Sequence, residues 1–89
     1  MRIKDNFKVR NIAGENLIVS QGASHADLTK IISLNPTAKY LWDELKDKVF
    51  NVEDAARLLV DKFHIDMATA QKDAEKLLNK LKEEGIIED

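Results

Sequence analysis

The sequence contains no cysteine, which excludes disulfide frameworks, thiolate metal sites and cysteine nucleophiles. It contains only three glycines and one proline, too few for a β-sandwich or a fibrous protein. No stretch approaches the roughly 20 apolar residues that span a bilayer. The charged segment 1–6 is not followed by the apolar run of a signal peptide. We therefore expect a soluble protein of the cytoplasm.

The chain contains enough apolar residues to form a folded core. Its 89 residues are 44% hydrophobic and 34% charged, and this length is close to that of one typical domain. We expect residues 1–89 to form a single domain. The formal net charge is −2, so the chain as a whole does not attract phosphate backbones or anionic lipids.

The N-terminal part has the features of β-structure. Residues 7–12, 17–19 and 28–34 are short runs rich in β-branched and apolar residues, without a helical stripe. The segments 13–16 and 20–27 between them have the Gly, Asn and Ser content of hairpin loops. This pattern predicts a three-stranded antiparallel meander, which needs helices to cover one face.

The remaining residues have strong helix signals. Asn35 followed by Pro36, then Asn51 and Asp66, are typical starts, and Gly85 is a typical end. Ile86 and Ile87 then predict an apolar tail on the core. Apolar residues at helical spacing predict three buried stripes, which comprise Ala38, Leu41, Trp42, Leu45 and Val49; Val52, Ala55, Ala56, Leu59 and Phe63; and Ala70, Ala74, Leu77 and Leu81.

The order of these elements is β-β-β-α-α-α. Three short-linked helices beside a small sheet predict an α+β fold, specifically a small winged-helix-like domain. Trp42 and Phe63 are expected to anchor its core.

Residues that could support catalysis are few. His25 and His64 are the only histidines, and neither has the neighbours that a zinc site requires. Three glycines exclude the Gly-rich phosphate loops, and the carboxylates fall mainly outside the apolar stripes, where they would be solvated. We expect no catalytic residue, no metal and no cofactor, and therefore a binding protein rather than an enzyme.

A winged-helix-like fold makes DNA the first partner to consider, with the third helix as the reader of the groove. The charges argue against it, because residues 68–84 carry four lysines and four acidic residues. Lys8 and Arg10 form the nearest basic strip, which a charged edge strand explains equally well. A DNA-binding transcriptional regulator remains the alternative function, and a structural or assembly domain comes third.

A resemblance to a known family points elsewhere. The segment 34–38, Leu-Asn-Pro-Thr-Ala, followed by Leu41, Trp42 and Leu45, resembles the signature of the coenzyme PQQ synthesis protein D family. Further similarity in the second and third helices is carried by residues 52–56, Leu59, Phe63, Asp66, Ala70, Asp73, Leu77, Leu78, Leu81 and 85–87. The resemblance extends over residues 7–87 and consists mainly of caps and core positions.

The resemblance implies a non-catalytic peptide chaperone, a recognition element for the leader of a ribosomally made precursor peptide. Such a protein acts beside a radical SAM enzyme or another peptide-modifying enzyme, in PQQ biosynthesis or a related pathway. It also implies that the leader binds as an extra strand on the third strand of the sheet, in a groove closed by the third helix. The predicted edge here comprises Lys30, Ile31, Ile32, Ser33 and Leu34, whose peptide groups would bind.

For the helix that closes this groove, counting about 100° per residue places three side chains on one shoulder of the core stripe. They are Met67, Gln71 and Leu78, which we expect to contact the peptide. The alternative is that Met67 and Leu78 only widen the core stripe. Residues 1–31 hold five basic and three acidic side chains, so this part could attract an acidic leader. Unpaired strand edges would permit a homodimer.

Overall fold

The computed structural model describes residues 1–20 and 32–89. Within them it contains strands β1 (Arg2–Ile3), β2 (Phe7–Ile12), β3 (Glu15–Ser20) and β4 (Ile32–Leu34), helices α1 (Pro36–Leu45), α2 (Val52–Phe63) and α3 (Met67–Glu83), and a last strand, β5 (Ile87–Glu88). The strands β2, β3 and β4 form an antiparallel sheet in that order. The predicted α+β class, with a three-stranded antiparallel sheet followed by three helices, is confirmed.

The hairpin between β2 and β3 has a tighter turn than the sequence suggested. Ile12 pairs with Glu15, which leaves only Ala13 and Gly14 in the loop, with φ of 53° and 85°. Two successive positive φ values are typical of a type I′ turn, which matches the right-handed twist of the strands. β4 begins at Ile32 in the described chain, and the predicted strand segment 28–31 and loop segment 21–27 lie outside the described residues.

All three predicted helix starts are confirmed. The Asn35 side chain accepts a 2.7 Å hydrogen bond from the Ala38 N–H, with Pro36 in the first turn. Asn51 and Asp54 form a reciprocal capping box, and Asp66 accepts a bond from the Thr69 N–H. Each cap satisfies an N–H group that would otherwise lack an intrahelical partner.

One hydrophobic core joins the strands and helices, and within it α2 and α3 pack against each other. Ala55, Ala56, Ala70 and Ala74 are completely buried, and such small side chains let two helix backbones approach closely. The larger buried side chains around them come from every helix and include Leu41, Trp42, Leu59, Leu78 and Leu81.

Two predicted core residues are at the surface. Val49 is 83% exposed, because α1 ends at Leu45 and the chain turns through Asp47, with φ of 66°, so the helical spacing no longer applies. Phe63 is 39% exposed, because it is the last residue of α2 and packs edge-to-face on Tyr40, with ring centroids 5.8 Å apart. The prediction for Trp42, which is 3% exposed, is confirmed.

A second, two-stranded sheet brings the two ends of the described chain together. β1 pairs antiparallel with β5, and Ile3 lies opposite Ile87. The Met1 ammonium group donates to the Phe50 carbonyl oxygen at 2.8 Å, and the Phe50 N–H donates back to Met1. Ile86 and Ile87 are each 3% exposed, which confirms the apolar tail but adds a strand pairing that the sequence pattern did not indicate.

Candidate functional site

A groove of about 390 Å³ lies between the sheet edge and α3, a size within the usual range for ligand sites. One side is formed by β4 and the first turns of α1, and the other by α3. The residues that line the groove are Ile32, Ser33, Leu34, Asn35, Thr37, Ala38, Leu41, Leu59, Asp73, Lys76, Leu77 and Lys80.

The pairing pattern determines which peptide groups of β4 point away from the sheet. Ile12 and Glu15 close the two-residue turn, so they form a hydrogen-bonded pair, and such pairs alternate along an antiparallel ladder. Asn16 and Ile18 therefore direct their peptide groups toward β4.

On β4, Leu34 is the partner of Asn16, and Ile32 is the partner of Ile18. Ser33 lies between them, opposite Leu17, in a non-hydrogen-bonded pair. The N–H and C=O groups of Ser33 therefore point to the outer edge of β4, where no strand among the described residues pairs with it. Since Ser33 also lines the groove, the groove contains a backbone donor and acceptor that no described strand pairs.

The helical side of the groove is one face of α3. Asp73, Lys76, Leu77 and Lys80 follow each other at intervals of three, one and three residues, a spacing that places them along one side of a helix. Leu77 is half-buried, while the three charged residues are exposed. Below them the groove reaches the buried side chains of Leu41 and Leu59, so its base is apolar.

The charges at the rim of the groove are unequal. Lys76 and Lys80 face a single carboxylate, that of Asp73. In the described part of the chain, neither lysine has a carboxylate within ion-pair distance. Exposed lysines without a partner remain available to a negatively charged ligand.

The predicted site residues divide into three groups. Ile32, Ser33 and Leu34 all line the groove. Met67, Gln71 and Leu78 do not: Met67 is half-buried against the core, Gln71 is exposed, and Leu78 is 2% exposed within the core. Lys30 and Ile31 lie outside the described residues.

The helical side of the groove is thus the opposite shoulder of α3 from the one that the sequence indicated. Leu78, not Leu77, completes the buried stripe with Ala70, Ala74 and Leu81, so the assignment of Leu77 to the core stripe was wrong. Both leucines fit a helical stripe, and the tertiary packing of α3 decides between them. The sequence did contain one signal, the lysines at positions 76 and 80, which flank Leu77 on the same face.

A comparison with protein families identifies the family of the chain. The model of the family described as coenzyme PQQ synthesis protein D matches residues 19–87, which include β4, all three helices and the whole groove. The chain belongs to this family. Membership of the coenzyme PQQ synthesis protein D family supports, in general terms, the role of a non-catalytic, peptide-binding partner in the PQQ pathway. It gives no support to DNA binding.

Two further comparisons return nothing. No curated protein matches the chain, and no solved structure matches it.

The described residues hold no cluster of the kind that binds a metal ion. Within 1–20 and 32–89, no three His, Cys, Asp or Glu side chains lie close enough to hold a metal ion. His64 is exposed and occupies the left-handed position that ends α2, whereas His25 lies outside the described residues. No helix of the described chain has the length and apolar character to cross a membrane.

Proposed function

We propose that this member of the coenzyme PQQ synthesis protein D family binds the leader of a ribosomally made precursor peptide as an added strand on β4. The bound peptide lies in the groove between β4 and α3 and is presented there to a radical SAM enzyme, in PQQ biosynthesis or a related modified-peptide pathway. The observation that carries this proposal is the outward peptide group of Ser33, which no strand of the described chain pairs, in a groove with an apolar base.

Strand addition suits this groove for two physical reasons. Ser33 can donate one backbone hydrogen bond to an added strand and accept another, and each bond contributes about 1 kcal/mol net. The predicted edge continues through Ile31 and Lys30, which would lengthen the ladder beyond the described residues. Side chains of the added strand that point toward α3 would contact Leu77 and the apolar base of the groove, which gives selectivity in addition to affinity.

The family and the position of the site at a sheet edge support the proposed role beside an enzyme. A peptide that is held along one edge leaves its other edge and its unbound continuation accessible, so a second protein can act on it. In this proposal the chain contributes binding and orientation, and the modifying enzyme contributes the chemistry.

The decisive variant is Ser33→Pro, with Ser33→Ala as its matched control. Proline at position 33 removes the N–H that points away from β3, so all hydrogen bonds between β3 and β4 remain. Proline is also tolerated at strand edges that face solvent. Alanine removes only the hydroxyl group and keeps the N–H. We expect Ser33→Pro to weaken binding of the precursor peptide at least tenfold and Ser33→Ala to leave it within about twofold.

Binding would be followed by amide-resolved NMR titration with a precursor peptide encoded near the gene, and circular dichroism would establish that both variants fold. A folded Ser33→Pro protein with unchanged affinity would exclude the β4 edge. A DNA duplex serves as the control ligand; amide shifts along α3 with DNA, and none with peptide, would favour a regulator instead.

A further inference from the structure

The residues that line the groove restrict which side chains an added strand can carry, and strand addition through the backbone does not. Side chains of a strand alternate between its two faces. On β4, Ile32 and Leu34 are buried on the helix side, while Ser33 is exposed. An added strand therefore directs every second side chain toward α3, and these side chains meet the residues that line the groove.

Among those residues the only partly exposed leucine is Leu77, and it lies between Lys76 and Lys80 on the helix face. Asp73 stands one turn before Lys76 on the same face. The rim therefore carries two positive charges and one negative charge around one apolar contact point.

We propose that the groove selects a peptide strand with an apolar side chain that packs on Leu77 and an acidic side chain two positions away, which pairs with Lys76 and Lys80. This inference rests on the proposed function and names the class of its ligand. Two positions of a strand span about 6.6 Å, the three steps from Leu77 to Lys80 rise about 4.5 Å along α3, and the long lysine side chain covers the remaining distance. An acidic group two positions from the anchor can therefore reach one of the two ammonium groups while the anchor remains on Leu77.

The test uses three synthetic heptapeptides that differ only in charge. Their sequence is Thr-X-Thr-Leu-Thr-X-Thr, with X as Glu, Gln or Lys, and blocked ends remove terminal charges. Each is titrated to millimolar concentration, and amide shifts of Ser33 and Leu77 are followed by NMR. We expect the Glu peptide to bind about three- to tenfold more tightly than the Gln peptide, and the Lys peptide most weakly, since exposed ion pairs are weak individually.

The charge-reversed double variant Lys76→Glu/Lys80→Glu should invert this order and prefer the Lys peptide. The matched control Lys72→Glu/Lys82→Glu makes the same change in net charge on α3 at exposed positions outside the groove lining, and it should retain the preference for Glu. The preference should also decrease at high salt, because exposed pairs are screened.

The outcomes separate the two proposals. Equal affinity for all three peptides, with shifts at Ser33, would overturn the charge selection and leave strand addition intact. An equal loss of preference in both double variants would show a long-range effect of net charge and would also overturn it. If neither these peptides nor the precursor peptide shifts the Ser33 amide, the proposed function itself fails.

Discussion

Leu77 and Leu78 are consecutive residues of α3 that belong to different parts of the molecule. Leu78 is 2% exposed and packs in the core beside Ala74 and Leu81, whereas Leu77 is half-buried and lines the groove. Adjacent helical residues differ in direction by about 100°. One turn of α3 therefore contributes both to stability and to the candidate site.

Alanine substitutions should separate these two contributions. We expect Leu78→Ala to lower the free energy of unfolding by about 2 to 5 kcal/mol, because it leaves a cavity in the core. Leu77→Ala should cost about 1 kcal/mol or less, because part of the side chain is already exposed, but should weaken peptide binding. Urea denaturation and peptide titration measure the two effects. Equal losses of stability would contradict the assignment.

The contact between α2 and α3 should not tolerate a larger side chain. Ala74 of α3 is completely buried in the core, and we expect Ala74→Leu to destabilise the fold by about 1 to 3 kcal/mol through overpacking. Ala68→Leu is the matched control, since it makes the same change at an exposed position of the same helix. Thermal unfolding of both variants distinguishes them, and similar midpoints would mean that the two helices can separate at little cost.

The end of α3 depends on the conformation of Gly85. Its φ is 75°, its N–H donates to the Lys82 carbonyl, and the next N–H, of Ile86, donates to the Leu81 carbonyl. This is the Schellman arrangement. A Cβ atom at Gly85 would meet nothing within 4 Å, so Gly85→Ala tests backbone strain alone.

We expect Gly85→Ala to lower the free energy of unfolding by about 1 to 2 kcal/mol. Gly85→Asn should lower it less, because asparagine tolerates the left-handed region better than other residues. Guanidinium denaturation of the two variants provides the comparison. The ranking would be refuted by an alanine variant as stable as the parent protein.

Asp66 should make part of the stability depend on pH. The hydroxyl and N–H groups of Thr69 both donate to its carboxylate, and these bonds lower the pKa of Asp66 below its ordinary value. Because the folded pKa is the lower one, this stabilisation is present above the ordinary pKa and is lost as the pH falls through the folded pKa.

The Asp66→Asn variant retains a capping side chain but cannot titrate. The unfolding free energy of the parent minus that of the variant should therefore be constant near neutral pH. Below about pH 4 this difference should decrease, because only the parent loses stability through protonation of Asp66. Denaturation curves measured across this range provide the test. A difference that does not change with pH would rule out the proposed titration of Asp66.

The sequence was most informative where local chemistry decides the structure. Asn35, Asn51 and Asp66 were predictable as caps because each is a side-chain acceptor that precedes an apolar helical stripe. Gly85 was predictable as a helix end because it follows the last such stripe. It was least informative where distant segments meet. The pairing of Ile3 with Ile87 joins residues from the two ends of the chain, and no short-range pattern encodes such a contact.

The candidate site also combines features that local sequence determines with features that depend on tertiary packing. The β4 edge was predictable because a short β-rich run precedes a helix cap, and Ile32, Ser33 and Leu34 do line the groove. The shoulder of α3 that lines the groove was not, because Leu77 and Leu78 fit the helical period equally well. The choice between them depends on how α3 packs in the fold, and this is a tertiary property.

The position of Ser33 has a consequence for how such a protein can change in evolution. Along any strand, the direction of the peptide group and the direction of the side chain both reverse from one residue to the next. The residue that offers its backbone to the open edge of β4 is therefore the one whose side chain leaves the core. Almost any amino acid except proline can occupy it without loss of the donor. Strand addition as proposed here would be nearly silent in the sequence, so relatives would be able to diverge at the contact itself and still hold a strand.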